Sequence, residues 1–263
     1  VANIKLNDAS FVCGGFTSQD LLNGQKLGDY TSKYLSDKYG NDLKIAIMDF
    51  DATIPEQSKA RYGGFLEKLT ANGVNYEIVA QQSFTDGAKT DFSTQINAIR
   101  DSGCDLVFLP IYAAEASVFL TQAQGKLDGI KVFGCDGLDG LVSVENFDTS
   151  LAEDVMLMTP FTASATDDKT AAFVKAYNEA YGEDPNQFAA DAYDAIYAIH
   201  AAVEKAGVTA DMDASVICDA LKAAFTEITL EGLTGKGITW DASGAPAKSP
   251  LVYIIKDGVY TAA

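Results

Sequence analysis

Three side chains of this 263-residue chain could do binding chemistry, and each follows an apolar run or lies near one. Asp136 stands in Cys-Asp-Gly-Leu-Asp-Gly (135–140), directly after the run 130–134. A carboxylate there can accept charge-assisted hydrogen bonds from an ammonium or from paired hydroxyls. A plain Asp-Gly turn is the competing reading. Tyr112 follows the run 105–110. Its ring can wall a pocket and offer a hydroxyl, or pack locally on a loop rim. Arg61 lies four residues before Phe65. Its guanidinium can fork onto a carboxylate or vicinal hydroxyls, or stand solvated on a helix. The run 44–50 leads into further polar groups, Asp49, Asp51 and Thr53.

Other chemistries find no support. His200 is the single histidine, and it falls on the helical stripe of Tyr193 and Ile196, which reads as core or boundary. No GxSxG accompanies it, and nothing assembles nucleophile, base and orienter, so the chain reads as a non-enzyme. Gly134, Gly137 and Gly140 do not form a GxGxxG that opens a long helix, and there is no P-loop. Cys13, Cys104, Cys135 and Cys218 are widely spaced with no CxxC, which argues against zinc and reads as buried free thiols. No cofactor is implied.

The elements that must position these groups are legible from periodicity. Thr17-Ser-Gln-Asp20 resembles a capping box, opening a helix of about 18–39 that carries Leu27, Tyr30 and Tyr34. Strand 44–49 follows, then a helix opened by Pro55 and Glu56 with an inward face of Tyr62, Phe65, Leu66 and Leu69. Strand 75–80, a helix with Phe92, Ile96 and Ile99, strand 105–110, helix 113–124 and strand 130–134 complete the alternation. Short connections between alternating strands and helices predict βαβ units and a doubly wound parallel α/β sheet. Ligands of such sheets bind outside the carboxyl ends of the strands, so the loops holding Asp136 and Tyr112 converge if their strands are neighbours. After residue 150 the pattern changes. VMLMTPF (155–161) reads as a strand, and helices follow at about 168–181, 187–206 and 213–225. The second of these carries Tyr193, Ile196, Tyr197 and Val203 on one stripe. ITW (238–240), a turn at 241–244, and a hairpin over 251–260 turning at Asp257-Gly258 close the chain.

The formal net charge is −18, which excludes a nucleic-acid or polyphosphate partner. The start VANIKLND lacks the basic and apolar regions of a signal peptide, and no apolar run approaches the ~20 residues of a membrane helix.

From Phe84 onward the chain resembles the type I periplasmic binding proteins of the branched-chain amino-acid branch. The resemblance rests on KTDFSTQINAIRDSGCDLVFLPIYAAEA, FGCDGLDG, FVKAYNEAYGEDPNQFAADAYDAIYAI and GLTGKGITWDASGAPAKSPLVYIIKDGVY, in the family's order. FVCGGFTSQDLLNGQ is similar to the family's segment crossing between lobes. The resemblance implies two αβ lobes, with strand order 2-1-3-4-5 in the ligand-binding lobe, that close on a small polar ligand and deliver it to an ABC permease. It also implies an extracellular or periplasmic location, with a lipid anchor in the complete protein. Asp136 takes the place of the acidic residue that pairs with a ligand α-ammonium, and Tyr112 that of the flanking aromatic. The loop IMDFDATIPEQSKARYGGF (47–65) instead resembles the sugar-binding branch, where an arginine at the position of Arg61 holds sugar hydroxyls. Thr53 and Gln57 are candidates for the same wall.

Residues 1–158 with 230–263 are expected to form the ligand-binding lobe, and 159–229 a mostly helical remainder of the other lobe. About a hundred residues of the family's first lobe are absent, so the helices of 160–228 lack the sheet they normally cover. An apolar helix face left in this way predicts self-association. The leading expectation is a solute-binding component of an ABC importer, with an amino acid as ligand. A sugar-binding protein of the same fold and a ligand-sensing receptor module are the alternatives.

Overall fold

The computed structural model describes residues 20–40 and 42–263. Cys13 and Thr17–Gln19, which open the expected capping box, lie outside the described residues. The described chain divides into two compact units, 20–159 with 250–263 and 160–249.

The first unit is built on a seven-stranded sheet ordered β2-β1-β3-β4-β5-β6-β7. Its strands are β1 (Leu43–Asp49), β2 (Tyr76–Ser83), β3 (Leu106–Leu109), β4 (Lys131–Gly134), β5 (Met156–Thr159), β6 (Leu251–Lys256) and β7 (Val259–Ala262). The first five run parallel in the expected order 2-1-3-4-5, and β6 and β7 add antiparallel. β3 is buried along its whole length and β1 at every position but Lys44, as a parallel sheet covered on both faces requires. Alternate side chains feed two cores. Ala46, Met48, Val107 and Leu109 join the core containing Phe92, Ile96 and Phe119. Ile45, Ile47, Leu106, Phe108 and Phe133 join Leu27, Phe65 and Leu69 on the other. The helices supplying these residues are α1 (Asp20–Tyr39), α2 (Pro55–Ala71), α3 (Ser93–Ser102, with Phe92 as its N-cap) and α4 (Ala113–Ala123). The final hairpin turns at Asp257 and Gly258, both at positive φ (52° and 74°), which the right-handed twist of the two strands favours.

Helices α1 and α2 meet at backbone distance. A Cβ on Gly24 would stand 2.0 Å from the Arg61 carbonyl oxygen, and one on Gly64 2.3 Å from that of Leu21. One turn on, a Cβ on Gly28 would come within 2.6 Å of the Phe65 carbonyl. Only glycine permits this crossing, and it carries the first residue of α1, Asp20, against α2.

The second unit holds α5 (Asp168–Tyr181), α6 (Gln187–Ala206) and α7 (Ala214–Phe225). The expected strand at 238–240 is reduced to two isolated bridges, Leu230 with Ile238 and Trp240 with Pro246. The inward face of α6 differs from the aromatic stripe read from sequence. Ala190, Asp194, Ala198 and Ala202 are buried, while Ile196 is 66% exposed and Tyr197 49%. Small residues let α6 approach Phe225, Ile238 and Trp240. Asp194 fixes it further by accepting bonds from Leu233 N (2.7 Å), Thr234 N (2.8 Å) and Thr234 Oγ1 (2.7 Å). His200, expected at the core or its boundary, is exposed beside Glu204, because it lies off the alanine face.

Candidate functional site

Parallel pairing makes β1, β3 and β4 consecutive neighbours, so their carboxyl ends open side by side. What gathers there is centred on Arg61, which is 1% exposed rather than solvated. It lies on α2, the helix after β1. Its Nε donates to Asp20 Oδ1 at 2.8 Å, and its Nη1 to the Pro110 carbonyl at 3.3 Å. Its Nη2 lies 3.2 and 3.3 Å from the two oxygens of Asp136. The rings of Phe50 and Tyr112 stand 5.8 and 5.3 Å from Cζ, within cation–π range. The Tyr112 hydroxyl donates to Gln57 Oε1 at 3.3 Å, and Gln57 Nε2 donates to Asp20 Oδ1 at 3.4 Å.

Four residues singled out in the sequence therefore meet in one place: Asp136, Tyr112, Arg61 and Gln57. Thr53 is not brought to them. It sits in the β1–α2 turn with its N–H on the Phe50 carbonyl at 2.9 Å. Asp49 and Asp51 also serve elsewhere. Asp49 accepts from Asp51 N (3.0 Å) and Gln81 Nε2 (2.8 Å), and Asp51 accepts from the Tyr62 hydroxyl (3.3 Å). Asp20 was missed, because its sequence context reads as a helix cap. The pair Gly24 and Gly28, four apart on α1, is the signal of a close helix crossing that could have pointed to it.

Burial is the governing electrostatic fact. It raises the pKa of Asp20 above the ordinary carboxylate value; Arg61 opposes the rise and Asp136 adds to it. Burial alone would lower the pKa of Arg61, but Asp136 and Asp20 outweigh it and hold the guanidinium charged. Burial likewise pushes the thiol of Cys135 up, so it stays protonated and unreactive beside the site. Gly137 lets the Asp136 turn lie flat on this cluster. A Cβ there would stand 2.4 Å from the Ile111 carbonyl and 2.9 Å from Arg61 Nη1. The arrangement is a buried ionic cluster at the strand ends: two carboxylates and an amide gathered on one guanidinium, beside an aromatic ring. Among the described residues no cluster of His, Cys, Asp and Glu is placed to hold a metal, and no helix is long and apolar enough to cross a membrane.

The chain belongs to the periplasmic binding protein family, whose model matches residues 23–258. Its fold is shared by known solute-binding proteins. The leucine binding protein LivK of Thermotoga maritima superposes with a TM-score of 0.72 at 22% identity, over 95% of this chain and 66% of that one. The branched-chain amino acid transporter substrate binding protein LivJ of Streptococcus pneumoniae, in complex with isoleucine, gives 0.73 at 26% identity, over 94% and 65%. An ABC transporter solute binding protein of R. palustris, in complex with benzoate, gives 0.75 at 19% identity, over 92% and 62%. The chain thus spans less than two thirds of the length of each. No curated protein sequence matches it.

Proposed function

We propose that this chain is the solute-binding component of an ABC importer, or a portion of one. It acts outside the cytoplasmic membrane, is held there by a lipid anchor on the complete protein, and passes its ligand to a permease. Binding is non-covalent, and the ligand is an amino acid. Asp136 receives its α-ammonium and Tyr112 flanks it. The observation that carries this reading is the convergence of Asp136, Tyr112, Gln57 and Arg61 at three adjacent parallel strand ends. Family membership supports it, as do LivK, a leucine binding protein, and LivJ, in complex with isoleucine. The sugar alternative rests on Arg61, which is paired with the same Asp136 that the amino-acid reading uses. The proposed ligand-binding lobe is 20–159 with 250–263; residues 230–249, expected in it with 1–158, belong to the same unit as α6 and α7. Self-association through the exposed apolar residues of α6 and α7, among them Ile196, Tyr197, Ile199 and Val216, is part of the proposal.

Isothermal titration with L-leucine, L-isoleucine, D-ribose and benzoate tests the ligand class. Heat from an aliphatic amino acid is the expected result. Binding of ribose alone would establish the sugar reading in its place.

A further inference from the structure

Asp20 and Asp136 come from separate elements, α1 and the turn after β4, yet they share one guanidinium. Arg61 has its Nε on one and its Nη2 on the other, its Nη1 on a backbone carbonyl, and an aromatic ring near at hand on two elements. The Gly137 backbone lies against Nη1. A guanidinium held on this many sides is a fixed part of the site. Its charge is divided, and the three ionised groups together carry one net negative charge. While Asp20 is ionised it draws on Arg61, and Asp136 keeps negative character for a ligand. If Asp20 is neutral, Arg61 pairs with Asp136 alone and quenches it.

Resting on the solute-binding reading above, we propose that Arg61 and Asp20 are positioning residues for the ligand. Arg61 fixes the Asp136 carboxylate, and Asp20, by sharing Arg61, keeps that carboxylate negative enough to take a cationic ligand group rather than a hydroxyl pair. The charged and titratable groups facing Asp20 are Arg61 on α2 and Asp136 and Cys135 at the end of β4; Gln57 of α2 donates to it. Tyr112 and Phe50 face Arg61. Because burial raises the Asp20 pKa, its protonation begins at a higher pH than that of an ordinary aspartate. Affinity for a cationic group therefore falls as pH falls through that raised value.

The test is calorimetric titration of L-isoleucine, with D-ribose and benzoate as neutral and anionic probes, from about pH 4 to pH 8, which spans the carboxylate range. The wild type is expected to bind L-isoleucine more tightly as pH rises. Asp20→Asn is expected to lose affinity by about tenfold, the scale of one charged hydrogen bond, and to show a flattened pH profile. Arg61→Lys keeps the charge without the fork and is expected to weaken L-isoleucine binding without creating affinity for ribose. Wild-type affinity for L-isoleucine across that range, unchanged in Asp20→Asn, overturns the positioning roles and leaves the amino-acid reading intact. A wild-type profile independent of pH overturns them even if Asp20→Asn fails to fold. A wild type that binds none of the three probes contradicts the solute-binding reading itself.

Discussion

Asp136 is the residue proposed to meet the ligand's charged group. Its replacement by alanine removes a charged hydrogen-bonding partner, which weakens amino-acid binding by about 1–3 kcal/mol; equilibrium titration reads this directly. Arg61→Ala acts mainly on stability. It leaves two buried carboxylates, Asp20 and Asp136, without the cation they share. The expected loss is about 3–5 kcal/mol, measured by urea unfolding. Asp20 gives a pH signature of its own. Its folded-state pKa lies above the unfolded value of 3.8, so the native state binds its proton more tightly. This group's contribution to stability therefore rises as pH falls from the raised value towards 3.8. The place of Asp136 and Tyr112 at the strand ends was legible because each lies shortly after an apolar run. The burial of Arg61 was not, since a helix arginine in isolation reads as solvated. Asp20 depends on a contact between residues forty-one apart, which no local pattern encodes.

At the scale of the element, the crossing of α1 on α2 decides whether the site assembles. Gly64→Ala would drive a methyl group against the Leu21 carbonyl, 2.3 Å away. The expected cost is about 1–3 kcal/mol, as for other overpacked sites. Because the same crossing holds Asp20 on Arg61, ligand affinity falls along with the melting temperature. A variant that melts and binds like the wild type would show that the helices separate freely. The order of the parallel strands followed from the family resemblance, and the strands themselves were readable because buried strands are continuous apolar runs broken by amphipathic helices. The face of α6 was not. Tyr193, Ile196 and Tyr197 have helical spacing, and large apolar residues normally mark the core. Here alanines occupy the core, because close packing on Phe225 and Trp240 favours small side chains.

For the whole molecule, the apolar surface of α6 and α7 sits in a chain of net charge −18. Association through that face is opposed by charge repulsion and favoured by salt, which screens it. Sedimentation velocity is expected to show mass rising with both concentration and ionic strength. Replacing Ile196 and Val216 by lysine should return the chain to monomer, and a wild type monomeric under all conditions would remove this surface as an interface. In the proposed function the ends of β1, β3 and β4 hold the ligand through Asp136. The most direct test of this is the L-isoleucine affinity of the wild type against Asp136→Ala at neutral pH. Binding by the wild type, weakened in the variant by about 1–3 kcal/mol, is the predicted result. Equal affinity in the two proteins would contradict it.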